Sequence, residues 1–154
     1  MLTLRPLQPS DLNNLYTIYS NKKVTRPAGF LPYYYIAALH QQMEEFLQTH
    51  TVILLDDKFV GVITSDDLGQ QTISLGIMIN EQYWHQGIGK EAILQYLNLC
   101  KQRNIQTVYA DCILKNIASQ KLLESCGFEY LQDFKRKFPD FVDEKTCKLY
   151  KKSI

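Results

Sequence analysis

The order of apolar and polar residues shows two periods along this chain. Leu2-Thr3-Leu4-Arg5 alternates in the manner of a half-buried strand, and Pro6 and Pro9-Ser10 end it. Ser10 is a residue type that caps helices, and after it Leu12, Leu15, Ile18 and Tyr19 recur at helical spacing. The stretch Asn21 to Tyr35 carries Pro27, Pro32, Gly29 and the run Tyr33-Tyr34-Tyr35, which predicts an irregular loop leading into a second helix over about Ile36 to Thr49.

Val52 to Leu55 and Phe59 to Ser65 are β-rich runs around the polar turn Asp56-Asp57-Lys58, a hairpin pattern. A third strand, Thr72 to Asn80, is expected after a turn at Asp66-Asp67-Leu68-Gly69. Helical spacing returns over about Lys90 to Arg103, followed by a strand at Thr107 to Leu114 and a short helix at Ile117 to Ser125 that stops at Gly127. Phe128 to Phe138 and Thr146 to Lys152 read as two closing strands around Pro139-Asp140. The order βα, α, βββ, α, β, α, ββ is that of a mixed α/β (α+β) domain, antiparallel in its front half and with one parallel crossover. At 154 residues, without linker or repeat, the expectation is one domain over 1–154.

Composition narrows the function. Seventeen Lys+Arg against sixteen Asp+Glu leave a formal charge of +1, so no global field argues for nucleic acid or an anionic membrane as partner. No stretch nears eighteen uninterrupted apolar residues and Met1 to Pro6 turns polar early, so a cytoplasmic location is expected. Cys100, Cys112, Cys126 and Cys147 form no Cys-x-x-Cys pair, so neither a metal site nor a disulfide framework is expected, and the thiols read as small buried hydrophobes.

The most informative segment is Ile73 to Lys90, where an apolar strand meets a glycine turn, Trp84-His85-Gln86-Gly87-Ile88-Gly89-Lys90, that opens directly into a helix. Such a turn leaves backbone N–H groups at the positive end of a helix dipole, a seat for phosphate. It is neither a nucleoside-triphosphate loop, since Glu91 follows Lys90, nor a dinucleotide fingerprint, since antiparallel-type strands precede it. A second pattern follows at Asn116-Ile117-Ala118-Ser119, an Asn cap whose helix closes in Gly127-Phe128.

Together these two patterns resemble the GCN5-related N-acetyltransferase (GNAT) superfamily, whose coenzyme A turn reads Gln/Arg-x-x-Gly-x-Gly/Ala and whose later Asn-x-x-Ser/Ala precedes a helix ending in Gly-Phe. Trp84, where Gln or Arg is usual, together with Asn116/Ser119, Leu122-Leu123-Glu124 and Asp143, resembles the RimJ/RimL branch. The resemblance implies the GNAT fold, a mixed sheet of about six or seven strands with about four helices, splayed between the fourth and fifth strands. It implies acetyl-CoA as co-substrate, with the N–H groups of Gln86, Gly87, Ile88, Gly89 and Lys90 on its pyrophosphate. Asn116 and Ser119 would contact the pantetheine or phosphate arm, and the backbone of Ile77, Met78 and Ile79 would pair with pantetheine as an added strand.

The implied activity is acetyl transfer to a primary amine, a protein N-terminus or a small molecule, by direct attack in a ternary complex. The partner is that acceptor amine, and the expected assembly is a monomer or homodimer. Family members often use a Glu on the strand before the turn as base and a Tyr seven residues after the Asn as acid. Here the strand has no carboxylate and the second position is Leu123. The remaining candidates are Asp111 as base, Ser119 as proton donor to the thiolate, and Glu81; His85 is expected to face solvent. The aromatic loop Thr25 to Tyr35 is a candidate acceptor wall or a packed loop. Without the usual acid and base, a non-catalytic coenzyme A-binding regulatory domain is the alternative, and a nucleotide-binding module a third.

Overall fold

In the computed structural model, which describes residues 1–154, seven strands form one sheet in the order β1-β2-β3-β4-β5-β7-β6. They are β1 (Leu2–Pro6), β2 (His50–Leu55), β3 (Lys58–Gly69), β4 (Thr72–Ile79), β5 (Thr107–Ile113), β6 (Glu129–Arg136) and β7 (Lys145–Ser153). Every neighbouring pair is antiparallel except β4 and β5, which run parallel and are joined by the crossover helix α5 (Ile88–Gln102).

Alternation along each strand divides the core in two. Ile73 and Leu75 of β4 join Ile53, Ile63 and Val108 on the face covered by Ala92, Ile93, Tyr96 and Leu97 of α5 and Leu123 of α6 (Ile117–Ser125). Met78 of β4, with Val52 and Val62, points to the other face and meets Leu15, Ile18 and Tyr19 of α1 (Leu12–Tyr19), Val24 of α2 (Lys22–Ala28), Leu39 of α3 (Ile36–His40) and Met43 of α4 (Met43–Thr49). A strand covered on both faces must be apolar at nearly every position, which is why Ile73 to Ile79 shows little alternation. Each such side chain taken out of water contributes about 1.5–3 kcal/mol.

Four expectations are corrected. Asn21 to Tyr35 is not wholly irregular, because α2 occupies its first half and brings the α-helices to six. The Asn21 side chain accepts from the Lys23 N–H at 3.0 Å and Gly29 takes the left-handed conformation (φ +100°), so the helix is capped at both ends. Pro27 lies one residue from the end of α2 and forgoes the bond that an N–H there would make back to the Lys23 carbonyl. The helix expected from Ile36 to Thr49 breaks at Gln41-Gln42 into α3 and α4. Asp66 to Gly69 is strand rather than turn: β3 pairs with β4 as far as Gly69↔Thr72, and the reversal falls on Gln70 and Gln71, at φ 51° and 60°.

Ser10 lies in a 3-10 turn, Pro9–Asp11, and makes no cap. The adjacent Asp11 anchors this entry instead, accepting from the Gln8 N–H and from both terminal nitrogens of Arg5. All four cysteines are free and buried, as expected.

Candidate active site between two diverging strands

Strands β4 and β5 pair only over Thr72↔Thr107, Ile73↔Val108 and Ser74↔Tyr109. Beyond Ser74 they separate, and the gap widens into a cleft of about 1280 Å³. The edge of β4 that would have continued the ladder, including Ile77, Met78 and Ile79, lines that cleft while its other edge stays paired to β3. A segment of extended chemistry that offers donors and acceptors at peptide spacing is what such an edge can hold.

At the far end of β4 the chain turns through Glu81–Tyr83 into the glycine segment. The Trp84 indole Nε1–H donates to the Ile79 carbonyl at 2.8 Å, which folds the turn back on the strand end. His85 (φ +61°) and Gly87 (φ +77°) are left-handed, and Gly87 is the residue before the first turn of α5. The N–H groups of Gln86, Gly87, Ile88, Gly89 and Lys90 find no acceptor within the protein, and all five residues line the cleft. Gly89 packs closely on α6: a Cβ would stand 3.2 Å from Leu122 Cδ2, so the leucine would have to give by a few tenths of an ångström. Lys90 and Lys121 add positive charge to the same cleft. The donors, the dipole of a fifteen-residue helix and the two lysines all favour a polyanion.

The opposite wall is β5 and the start of α6. Asn116 caps α6 with its side-chain oxygen, which accepts the Ser119 N–H at 3.2 Å, and its Nδ2 lies 3.5 Å from the Pro27 carbonyl. Ser119 lines the cleft beside Cys112. Burial pushes the Cys112 thiol up to about 11, with the Ser119 hydroxyl working against the shift. Helix α2 spans the gap from the other face, packed on both β4 and β5, and contributes Lys22, Lys23 and Arg26 to the lining. The sequence reading missed this roof, although Asn21 and Gly29 were start and stop signals for it.

The family model for the acetyltransferase (GNAT) domain matches residues 1–129. This chain belongs to that family. Its fold is shared with a GNAT-family acetyltransferase from Bacillus anthracis (TM-score 0.88, 18% identity, covering 99% of this chain and 94% of that one). The spermidine N-acetyltransferase from Vibrio cholerae, solved with CoA and spermine, superposes with TM-score 0.87 at 18% identity, covering 99% and 95%. A ribosomal-protein-alanine N-acetyltransferase from Brucella melitensis gives 0.81 at 18% identity over 99% of both chains. At such identity the likeness speaks for the fold. No curated protein sequence matches the chain.

In this GNAT domain the candidate acid–base groups are placed as follows. Asp111 lines the cleft, but both its oxygens accept from Arg136, at 3.1 and 3.0 Å. Glu81 lies outside the cleft lining and is held by Asn21 Nδ2 (3.0 Å) and Lys23 Nζ (3.1 Å), bonds that keep its carboxyl below the usual range. Leu123 is buried in the core, so that position supplies no hydroxyl. His85 is exposed at the mouth, and Asp66 also lines the cleft, a position hidden from the sequence by its reading as a turn.

One further group was not foreseen. Tyr19 lines the cleft on the α1 side, and its hydroxyl lies 2.6 Å from Nε2 of buried His50. His50 Nδ1 is 2.8 Å from Thr49 Oγ1, and burial lowers the imidazole to about 4, so the ring is neutral at physiological pH. Burial also raises the Tyr19 phenol, which keeps its proton. These residues lie thirty-one apart in the chain, and no local pattern joins them.

Proposed function

We propose that this domain transfers the acetyl group of acetyl-CoA to a primary amine in a ternary complex. The observation that carries the reading is that five unbonded N–H groups at Gln86 to Lys90 line the same cleft as the edge of β4 at Ile77 to Ile79 that β5 leaves unpaired. A diphosphate on the first and a pantetheine arm along the second would bring a thioester to the point where β4 and β5 part. The spermidine and ribosomal-protein N-acetyltransferases that share the fold support amines as acceptors.

In the reaction the amine nitrogen attacks the thioester carbonyl carbon, the C–S bond breaks, the nitrogen loses a proton and the sulfur gains one. An alkyl amine near pKa 10 is mostly protonated at neutral pH, and an α-amino group near 8 less so, so deprotonation is part of the work. A positioned base typically contributes about 10²–10⁴-fold, and orientation of two bound reactants about 7–11 kcal/mol. Here orientation carries more of the load, because Asp111 and Glu81 are committed to ion pairs. A β4 N–H near Met78 or Ile79 would stabilise the developing oxyanion, and Ser119, in the cleft lining, is the candidate to return a proton to the thiolate.

The same commitments, with Leu123 in place of a hydroxyl, favour a second reading, a coenzyme A-binding regulatory domain without turnover. Calorimetry with acetyl-CoA, followed by thiol release against a panel of alkyl amines and N-terminal peptides, separates the two. Micromolar binding with amine-dependent thiol release is expected. Binding with no release above background gives the regulatory reading, and no binding removes both.

A further inference from the structure

The sheet has two outer strands, and they are finished differently. At β1 the edge is short, Pro6 ends it, and Gln95 of α5 donates its Nε2–H to the Leu2 carbonyl at 3.1 Å. At β6 the backbone of Glu129 to Arg136 bonds to β7 alone, and seven of the eight residues are exposed. Tyr130 and Leu131 are 48% and 47% exposed there, so an open ladder carries apolar surface into solvent. Such an edge is a template for another strand.

The side chains of β6 match their own sequence in reverse. The ladder to β7 skips Leu131, which makes it the extra residue of a bulge. Without that residue Glu129 and Arg136 would point to opposite faces. With it both lie on the α2 side: Glu129 is across from Lys151, whose ammonium lies over Tyr109, and Arg136 reaches Asp111. Tyr130 and Lys135 share the other face, across from Tyr150 and Thr146. A strand of the same sequence laid antiparallel on this edge, with Asp133 at the centre, therefore sets Glu129 opposite Arg136, Tyr130 opposite Lys135 and Gln132 opposite Phe134. The Glu129 carboxylate makes no ion pair within the chain. The Arg136 side chain is 42% exposed and has donors to spare beyond the two that hold Asp111.

We propose that β6 is the contact strand of a homodimer, pairing antiparallel with the β6 of a second copy about a two-fold axis at Asp133. The two sheets then run on as one. A Glu129–Arg136 pair closes each end of the contact, and the partner's Glu129 shares the guanidinium that holds Asp111 in the cleft, so each copy reaches the other's site through one side chain. At the centre the two Asp133 carboxylates face each other, each accepting a Tyr130 hydroxyl at 2.7 Å and each with Lys148 beside it on β7. That like-charged centre is the weak point of the pairing and gives it a signature. The inference stands apart from the acetyl-transfer reading, since association is measured without coenzyme.

The experiment is sedimentation velocity on the full chain over about 1 to 100 μM. Expected is a dimer that dissociates on dilution. Glu129→Lys, at an exposed position whose side chain has no bond to lose, should weaken it by at least about tenfold, because it creates two like-charged pairs. Asp133→Asn keeps an acceptor for the Tyr130 hydroxyl and should tighten the dimer by about two- to fivefold. An equimolar mixture of Glu129→Lys and Arg136→Glu chains should form the dimer that neither forms alone, since both ends then pair opposite charges. A chain that stays monomeric at the highest concentration overturns the proposal and leaves the edge to an extended segment of another protein. A dimer whose affinity ignores both Glu129→Lys and Asp133→Asn overturns it as well, whether or not Arg136→Glu folds.

Discussion

The Trp84 indole nitrogen and the Ile79 carbonyl, five residues apart and 2.8 Å from each other, tie the glycine turn to the strand end at the point where β4 stops. The bond fixes where the five unbonded N–H groups sit relative to the open edge of β4. Trp84→Phe keeps an aromatic ring and deletes the donor. A neutral hydrogen bond is worth about 1 kcal/mol, so acetyl-CoA affinity is expected to fall about fivefold by calorimetry, with a similar loss in urea unfolding. An unchanged dissociation constant would separate the turn's position from this contact.

Gly87 has open space around its Cα but sits at φ +77°, and its N–H is one of those facing the cleft. Gly87→Ala should cost about 1 kcal/mol of stability from the left-handed backbone. Gly87→Asp adds a negative charge where the phosphates are proposed to lie, and should abolish acetyl-CoA binding while the circular dichroism spectrum stays native. Normal affinity in Gly87→Asp would place the diphosphate elsewhere.

His50 provides a pH signature. Its folded pKa of about 4 lies below the ordinary value near 6.5, so between those values the unfolded chain binds the extra proton and stability rises with pH. The full advantage of the neutral ring is present above about pH 6.5 and is lost as pH falls toward 4, a difference of about 3 kcal/mol. His50→Gln should flatten that part of the profile of unfolding free energy from urea titrations between pH 4 and 7.5. A variant that retains the full slope would assign the acid sensitivity to other groups.

Asp111 was a base candidate from its sequence position, and its pairing with Arg136 predicts a different behaviour. Asp111→Asn should change kcat by less than about tenfold and leave the midpoint of the pH–rate profile in place, whereas loss of a general base costs about 10²–10⁴-fold. Asp66, the other carboxylate of the cleft, is the comparison: Asp66→Asn causing the larger fall in kcat would move the base to β3.

Much of the fold was written in local patterns. Ile73 to Ile79 is apolar at nearly every position because both faces are covered, and α5 announces itself by the spacing of Ala92, Ile93, Tyr96 and Leu97. The glycine turn was legible because the left-handed backbone at Gly87 favours glycine and Gly89 leaves room beside Leu122. The failures have local causes too. Pro27 outweighed the caps at Asn21 and Gly29, and Gln70-Gln71 bends at positive φ without the Asn or Gly that usually marks such a turn.

What the sequence hid at the site was tertiary. The Arg136 partner of Asp111 lies twenty-five residues away, and the Tyr19–His50 pair thirty-one. Each changes what a candidate side chain can do, and neither leaves a trace in spacing.

The short ladder between β4 and β5 has a mechanical consequence. With only Thr72 to Ser74 clasping Thr107 to Tyr109, the sheet is two blades riveted at one end, and cohesion at the other depends on α2 laid across the joint and on α5 packed against α6. Any molecule wedged into the opening would act as mortar between the blades, so occupancy there should stiffen parts of the molecule that it never touches.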